Sequence, residues 1–167
     1  MSVVNKIPEQ IIRRFQKDAP VDVRALAEEL GVKVWESKVL PPGISGKLFK
    51  DLVNGGTEGF SIQVNATDAF VRKRFTVAHE IAHFILHREK IGPVIMDDVW
   101  YRSGLSTREE GEANRLAADI LMPAHLIRRY AMLSQDDPKT LAERFQVSVA
   151  AMNIRLDEMA RNPLALT

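Results

Sequence analysis

The sequence predicts an α+β fold in which a small antiparallel sheet packs with two motif-bearing helices and a C-terminal pair of helices completes the chain. A glycine-containing turn between two strand-like runs, the second of which alternates apolar and polar residues, predicts a β-hairpin. Apolar residues at helical spacing predict two long helices, one over about 71–86 and one that opens at about Ser106 and stops at Pro123. Two capped helical segments after Pro123 predict the final pair.

The N-terminal part of the chain predicts two short helices and one strand. Four apolar residues at helical spacing mark the first helix: Ile7, Ile11, Ile12 and Phe15. Asp22 is a suitable N-cap for a second helix over residues 23–30, which Gly31 ends. Residues 32–36 then predict a short strand.

Residues 47–53 and 59–65 flank the turn sequence Asn54-Gly55-Gly56 and so predict a hairpin. In the second run, the apolar side chains are expected to face the core: Phe60, Ile62 and Val64. The polar side chains between them are expected to face solvent: Ser61, Gln63 and Asn65. This alternation predicts a small antiparallel sheet.

A His-Glu-x-x-His pattern lies in the first long helix. His79 and His83 are four residues apart, so they lie on one helix face with Cβ atoms roughly 5–6 Å apart. Two ring nitrogens can then reach one zinc ion at about 2.0–2.1 Å. Glu80 lies about 100° further round the helix and is placed to act as general base on a metal-bound water. The alternative is a pair of hydrogen-bonded core histidines, but burying this trio in an apolar helix is costly unless it is paired or metal-bound.

An open zinc site needs a third protein ligand, and the chain has no cysteine, so the ligand must be His, Asp or Glu. Three candidates open the second long helix: Glu109, Glu110 and Glu112. Glu109 and Glu110 fall within about 60° of the centre of the apolar stripe, and Glu112 falls about 100° away and is the most solvated. Ser106 and Glu109 have capping-box spacing, which slightly favours Glu110 as the ligand over Glu109.

Longer motifs around these residues resemble the ImmA/IrrE metallopeptidases, whose pattern has an R-x-R-F-T-x-A-H-E-x-x-H helix and an E-x-x-A-N helix that ends in L-M-P. Here residues 72–83 read RKRFTVAHEIAH and residues 110–123 read EGEANRLAADILMP. One departure is Leu116, where an aromatic residue is expected. The match is closest from about residue 60 to residue 123.

The resemblance implies a zincin-like metallopeptidase core and assigns roles at the matching positions. His79, His83 and Glu110 would bind Zn²⁺, and Glu80 would be the catalytic base. Asn114, one turn after Glu110, would support that ligand. Members of the family typically act on a helix-turn-helix repressor, often encoded nearby, and so switch on a mobile-element or stress programme. The resemblance therefore implies a protein substrate of this class.

The resemblance also implies a place for the substrate. In zinc peptidases of this type, an edge strand beside the active-site helix lets an extended substrate add as another strand through main-chain hydrogen bonds. Five residues of the second hairpin strand are expected to form that edge: Gly59, Phe60, Ser61, Ile62 and Gln63.

Two further side chains are candidates for stabilising a substrate oxyanion. Tyr101 lies in the connection between the motif helices, and His125 follows the second one. For both, a surface position is favoured, because nothing in their sequence spacing indicates that the side chain faces the core. His87 extends the histidine series, but three imidazoles span about 12 Å of helix axis and cannot share one ion. His87 is therefore expected to face the helix C-terminus, where a cation is favourable.

Composition limits the remaining classes of function. The formal net charge is +1 and both signs are scattered, which argues against direct nucleic-acid binding and against a membrane surface. The absence of cysteine excludes disulfides and agrees with a reducing compartment. The N-terminus lacks the apolar run of a signal peptide, and no segment approaches the length of a membrane span. A cytoplasmic protein is expected.

The C-terminal segment resembles a helix-turn-helix, with Asp137 and Ser148 as N-caps of its two helices. We expect residues 1–130 to form the zinc metallopeptidase domain and residues 131–167 to form a helical pair packed on it. Residues 138–167 carry four basic and three acidic side chains, which is little charge for phosphate binding. Packing or partner docking is therefore favoured, and a non-catalytic module that binds DNA or a repressor through this pair is the alternative function.

Overall fold

The computed structural model describes residues 7–93, 105–135 and 137–163, which form seven α-helices and three β-strands. In chain order these elements are α1 (Ile7–Phe15), α2 (Val23–Glu29), β1 (Val32–Ser37), β2 (Gly46–Lys50), β3 (Phe60–Asn65), α3 (Phe70–His87), α4 (Thr107–Leu121), α5 (Ala124–Ser134), α6 (Pro138–Phe145) and α7 (Val149–Arg161). A short 3₁₀ turn, Arg88–Lys90, follows α3. The α+β class expected from the sequence is confirmed.

The strands form a mixed sheet in the order β1-β3-β2. β2 and β3 pair antiparallel as the predicted hairpin, with Leu48 opposite Ile62. β1 pairs parallel with β3 on its other side, with Val34 also opposite Ile62. The prediction of a purely antiparallel sheet was therefore wrong. Local alternation identifies a strand but does not say which distant segment will pair with its second edge.

Because β3 is central, both of its faces are covered. Ser61, expected at the surface, is fully buried: Trp35 Nε1 donates to its hydroxyl at 3.1 Å, and the hydroxyl donates to Asp51 Oδ2 at 2.8 Å. Asn65 is also buried and donates to the carbonyl of Ile44 at 3.1 Å. The expected solvent face of this strand was wrong at these two positions, because polar partners from neighbouring segments close over it.

The helix α3 runs through the interior, and it packs against α4 and against the sheet. The edge strand β2 comes very close to it at Gly46. A Cβ at this position would lie 2.4 Å from Thr76 Cγ2 and 2.7 Å from the carbonyl oxygen of Gln63. Only glycine allows this approach, which sets β2 against the part of α3 that carries the His-Glu-x-x-His pattern.

Side-chain caps begin four helices as the sequence predicted: Asp22, Ser106, Asp137 and Ser148. At the start of α4 the capping box is complete, because Ser106 accepts from the Glu109 amide and Glu109 accepts from the Ser106 amide. This double contact fixes how the first turn of α4 is rotated and so determines the direction of the next side chain, Glu110.

The C-terminal helices α6 and α7 pack on the same core as the rest of the chain. Phe145 and Met152 are fully buried within one apolar cluster that also includes residues of α3 and α4. Arg155 of α7 is buried as well, and its Nε donates to the carbonyl of Met122 at 2.9 Å. The expected helical pair is present, and its likeness to a helix-turn-helix stays a prediction. Among the described residues, no helix combines the length and apolar character that crossing a membrane requires.

Candidate metal centre

The two histidines of the His-Glu-x-x-His pattern lie one turn apart on α3, and their Nε2 atoms approach to 3.0 Å. The rings are almost perpendicular, with centroids 4.5 Å apart. His83 is buried, whereas His79 is partly exposed. The i, i+4 spacing therefore brings two ring nitrogens to one point, as the sequence predicted.

A carboxylate from α4 meets them there. Oε2 of Glu110 lies 3.1 Å from His79 Nε2 and 3.3 Å from His83 Nε2. The neighbouring Glu109 turns into the capping box and also accepts a hydrogen bond from Lys90. Of the two carboxylates favoured by helical phase, Glu110 is the one brought to the histidines. Its role as a ligand stays a prediction.

The three atoms fit a divalent metal ion. Ligand atoms at about 2.0–2.1 Å from a tetrahedral ion lie about 3.3 Å from one another, and the separations in this cluster are 3.0, 3.1 and 3.3 Å. Burial, followed by the proximity of His79, lowers the pKa of His83 to about 4. Its imidazole is therefore neutral near pH 7, which is the form that binds a metal.

Glu80 lies beside this cluster and is buried on α3. Burial raises its pKa to about 8, the nearby carboxylate of Glu110 adds to the rise, and a backbone hydrogen bond from Leu48 opposes it. Such a carboxyl group is tuned toward proton transfer near neutral pH. The contact with Leu48 also joins the acid to the edge strand β2.

A cavity of about 640 Å³ opens over these groups. Five residues of α3 and α4 lie in its wall, His79, Glu80, His83, Glu110 and Asn114, and the other lining residues come from three separate parts of the fold. These parts are the segment 43–46 leading into β2, the first turns of α3, and the start of α7. The cavity is thus wide enough for a peptide segment, and the C-terminal helix forms one of its sides.

Comparison with known protein families gives a match over residues 27–157 to the Peptidase_M78 model, described as the IrrE N-terminal-like domain. The chain belongs to the Peptidase_M78 family. The matched region includes both motif helices and most of α7, and it confirms the resemblance on which the ligand assignments rest. Membership indicates a peptidase. A search of curated proteins finds no match to the chain.

A solved structure of a Mycobacterium tuberculosis transcriptional regulator is similar to this Peptidase_M78 chain, with a TM-score of 0.59 and 18% sequence identity. The alignment covers 90% of this chain and 46% of the regulator, so the chain spans less than half of that protein. At this level of identity, the likeness shows a shared fold.

On the side of its ring away from His79 and Glu110, His83 begins a chain of polar contacts that runs through His87 to Glu112. Its Nδ1 lies 3.0 Å from Nδ1 of His87, and Nε2 of His87 lies 3.2 Å from Oε2 of Glu112. The hydrogen bond from His87 is the main reason that the pKa of Glu112 lies below its ordinary value. His87 lies in the last turn of α3, as expected, but it is buried, and its contacts are with His83 and with Glu112 of α4. Glu112 is the most exposed of the three candidate carboxylates at the start of α4, as predicted, but it is engaged with His87.

The predicted substrate strand is not an edge. The five residues named for it, Gly59, Phe60, Ser61, Ile62 and Gln63, lie in or next to β3, and both sides of β3 are already paired. The edge strand beside the cavity is β2, and Gly46 of that strand lines the cavity. The sequence carried one signal for this arrangement, since the centre of β3 combines apolar residues with a small serine, as fully covered strands do.

The remaining candidates have different outcomes. Asn114 lines the cavity one turn after Glu110, and its supporting role stays a prediction. His125 is exposed, and its Nε2 donates to the carbonyl of Gln16 at 2.9 Å. The start of α5 directs this ring toward the end of α1, so His125 is not among the residues that line the cavity. Tyr101 lies outside the described residues.

Sequence reasoning missed the contribution of α7 to the cavity. Ile154 is 60% exposed and lines it together with Ala151 and Ser148. An exposed isoleucine in the middle of a terminal helix is a weak signal by itself, and only the packing of α7 against α6, with Arg155 bonded to Met122 and Asp119 at the end of α4, gives it a place.

Proposed function

We propose that this Peptidase_M78 chain is a zinc-dependent endopeptidase that cleaves a helix-turn-helix repressor and so switches on the genes that the repressor controls. The observation that supports this most is the convergence of His79, His83 and Glu110 beside the buried Glu80, in the wall of one open cavity. Two imidazoles and one carboxylate, with a position left for water, are the donor set of catalytic zinc sites. Structural zinc sites usually close with four ligands.

Bound zinc would polarise the scissile carbonyl and make water a stronger nucleophile. The chain's own part in the reaction is proton movement by Glu80. Its carboxylate takes a proton from the attacking water and then delivers it to the leaving amine nitrogen. The raised pKa of Glu80 suits both halves of this transfer. The Leu48 amide holds the carboxylate in place during the exchange.

The substrate would bind as an extended strand along β2. In an edge strand, alternate backbone groups point away from the sheet and can pair with another chain. Lys50 uses its outward amide on the carbonyl of Gly92 at 3.0 Å, and Leu48 uses its own on Glu80. The end of β2 at Gly46, which lines the cavity, is therefore where a substrate strand would start to pair.

The repressor as substrate is carried over from the family resemblance, and the shape of the site supports a protein substrate. One strand end offers few side-chain contacts, so selectivity would come from a larger surface that includes α7. A folded partner recognised in this way is a more suitable substrate than a generic unfolded chain.

The alternative, a non-catalytic DNA-binding module, has less support. Arg155 is buried and bonded within the fold, and the start of α7 forms a side of the cavity. If α7 moved to place this surface in a DNA groove, the cavity would lose one of its sides and the site would be exposed.

The test uses the purified chain with zinc, a candidate repressor encoded nearby and its labelled operator DNA. Cleavage at one or a few sites, found by mass spectrometry, should release the operator, while casein should be cut poorly. Glu80→Gln is the matched inactive control. Operator binding by this chain alone, with the repressor intact, would rule out the peptidase proposal.

A further inference from the structure

We propose that His87 and Glu112 are positioning residues that hold His83 in the tautomer with the proton on Nδ1, so that its Nε2 lone pair faces the metal site. This proposal rests on the proposed function in one respect, since it takes His83 as a zinc ligand. The contacts themselves belong to the described structure and are independent of any activity.

When His87 is neutral, the donors and acceptors along this chain of contacts leave one arrangement, in which Glu110 accepts from His79 Nε2 at 3.1 Å and the longer approach to His83 Nε2, at 3.3 Å, carries no proton. Glu112 is partly exposed, and a carboxylate near neutral pH can only accept hydrogen bonds. Its contact at 3.2 Å therefore requires a proton on Nε2 of His87. A neutral imidazole carries one proton, so Nδ1 of His87 is then an acceptor.

The two Nδ1 atoms lie 3.0 Å apart and must share one proton. Because Nδ1 of His87 is the acceptor, that proton belongs to Nδ1 of His83. Nε2 of His83 is then left with a free lone pair. This is the atom that lies 3.0 Å from His79 Nε2 and 3.3 Å from Glu110 Oε2. The carboxylate of Glu112 thus determines, through the ring of His87, which nitrogen of His83 is available to a metal.

His79 provides a contrast. Its Nδ1 is buried and has no hydrogen-bond partner among the described residues. Among the described residues, no contact on the Nδ1 side therefore orients His79, whereas His87 contacts the Nδ1 side of His83. A partner on the second ring nitrogen orients a histidine ligand and makes it more basic, and loss of such a partner typically weakens metal binding about 10 to 100-fold.

The place of Glu112 also suits this role. It lies two residues after Glu110 on α4, so one short segment carries both the predicted carboxylate ligand and the group that orients His83. Arg108 Nε donates to the other oxygen of Glu112 at 3.0 Å. Arg108 is highly exposed, and it offers a control that touches Glu112 without touching either histidine.

The first measurement is the tautomer itself, read from ¹⁵N shifts of the imidazoles in the metal-free protein near pH 7. We expect the Nδ1–H form at His83 in the wild type. Glu112→Ala should give a mixture of the two forms, because His87 loses the acceptor that fixes its own proton. The Nε2–H form at His83 in the wild type would overturn the proposal, whether or not the protein binds zinc or cleaves a substrate.

The second measurement is zinc affinity by competition with a chelator. His87→Phe and Glu112→Ala should weaken binding about 10 to 100-fold. His87→Gln should restore most of it, because the Gln carbonyl can accept from His83 Nδ1. Arg108→Ala should bind zinc like the wild type.

Thermal unfolding of the metal-free proteins separates positioning from simple loss of packing. If His87→Phe does not fold, the comparison of Glu112→Ala with Arg108→Ala decides alone, since both residues lie at the surface of α4. Wild-type affinity in Glu112→Ala, with His83 still in the Nδ1–H form, would show that the chain of contacts does not position the ligand.

Discussion

The carboxyl group of Glu80 is hydrogen-bonded to the backbone of Leu48, so the proposed proton carrier on the central helix is tied to the edge strand of the sheet. The close approach at Gly46 holds that strand against α3. The proton carrier and the proposed binding edge for substrate are therefore parts of one packed unit, and a shift of β2 would disturb both.

The first prediction concerns the ligands. His79→Ala, His83→Ala and Glu110→Ala should each lose the single zinc ion, because three ligands are the minimum for a catalytic site. Metal analysis of the purified variants measures this directly. Glu109→Gln is the matched control and should keep its zinc, since the Gln side chain can still accept from the Ser106 amide and complete the capping box. Zinc lost from Glu109→Gln and kept in Glu110→Ala would mean that the other carboxylate is the ligand.

The second prediction separates binding from chemistry at Glu80. Glu80→Gln keeps the shape of the side chain but cannot take a proton, so zinc should still bind while the cleavage rate falls by about 10² to 10⁴-fold. The measurements are zinc content and repressor cleavage with the same preparation. An unchanged rate would indicate another general base or a contaminating protease.

The third prediction concerns the side of the cavity formed by α7. Ile154→Glu places a charge where an apolar substrate side chain would lie, and kcat/KM for the repressor should fall about tenfold or more. Met132→Glu is the control, because Met132 is 85% exposed and does not line the cavity. Equal effects of the two substitutions would argue against a role of α7 in substrate binding.

Local patterns were sufficient for much of the fold and of the candidate site. The caps at Asp22, Ser106, Asp137 and Ser148 follow from hydrogen bonds over three residues, which a sequence shows directly. The approach of His79 to His83 follows from helical spacing in the same way. The position of Glu110 needed the capping box at Glu109 and the family motif as well.

The features that were missed depend on contacts between distant segments. The parallel pairing of β1 with β3 decides which strand is the edge, and nothing within either strand encodes it. The burial of His87 depends on α4 covering the end of α3. Ile154 lines the cavity because α7 packs back on the core. Each of these is a property of tertiary packing, which periodicity does not report.

The fourth prediction is a pH dependence of stability from Glu109. The hydrogen bond from Lys90, followed by that from the Ser106 amide, lowers the pKa of Glu109 to about 2 in the folded protein. In the unfolded chain the pKa is near its ordinary value of 4.5. The ionised group therefore stabilises the fold above about pH 4.5, and this contribution is lost as the pH falls toward about 2.

Thermal unfolding of Glu109→Gln tests this dependence. The variant keeps capping-box geometry, so only the charge is removed. Its melting temperature should lie below that of the wild type at pH 7, and the difference should shrink as the pH falls below 4.5. Glu143→Gln, at an exposed position on α6, is the control. A difference that stays constant with pH would show that the ionised carboxylate of Glu109 does not stabilise the fold.

The last prediction distinguishes packing of α7 from DNA binding by α7. Arg155 is only 2% exposed, donates to the carbonyl of Met122 and lies 2.9 Å from a carboxylate oxygen of Asp119. Arg155→Met should therefore lower the free energy of unfolding by about 1–3 kcal/mol, because a buried acceptor loses its donor. Denaturant unfolding measures this loss. Arg144→Met is the control, since Arg144 is exposed over the ring of Tyr130 and should change stability by less than about 1 kcal/mol.

The same two variants test the alternative function. A DNA-binding module would show salt-dependent binding to operator DNA, and Arg144→Met would weaken that binding and lessen its salt dependence, because each phosphate contact adds to the slope. The packing arrangement instead predicts no such binding by the wild type and a loss of stability confined to Arg155→Met. Wild-type affinity for DNA that falls in Arg144→Met while stability is unchanged would favour the binding module, because an exposed arginine that acts only on affinity must contact the nucleic acid.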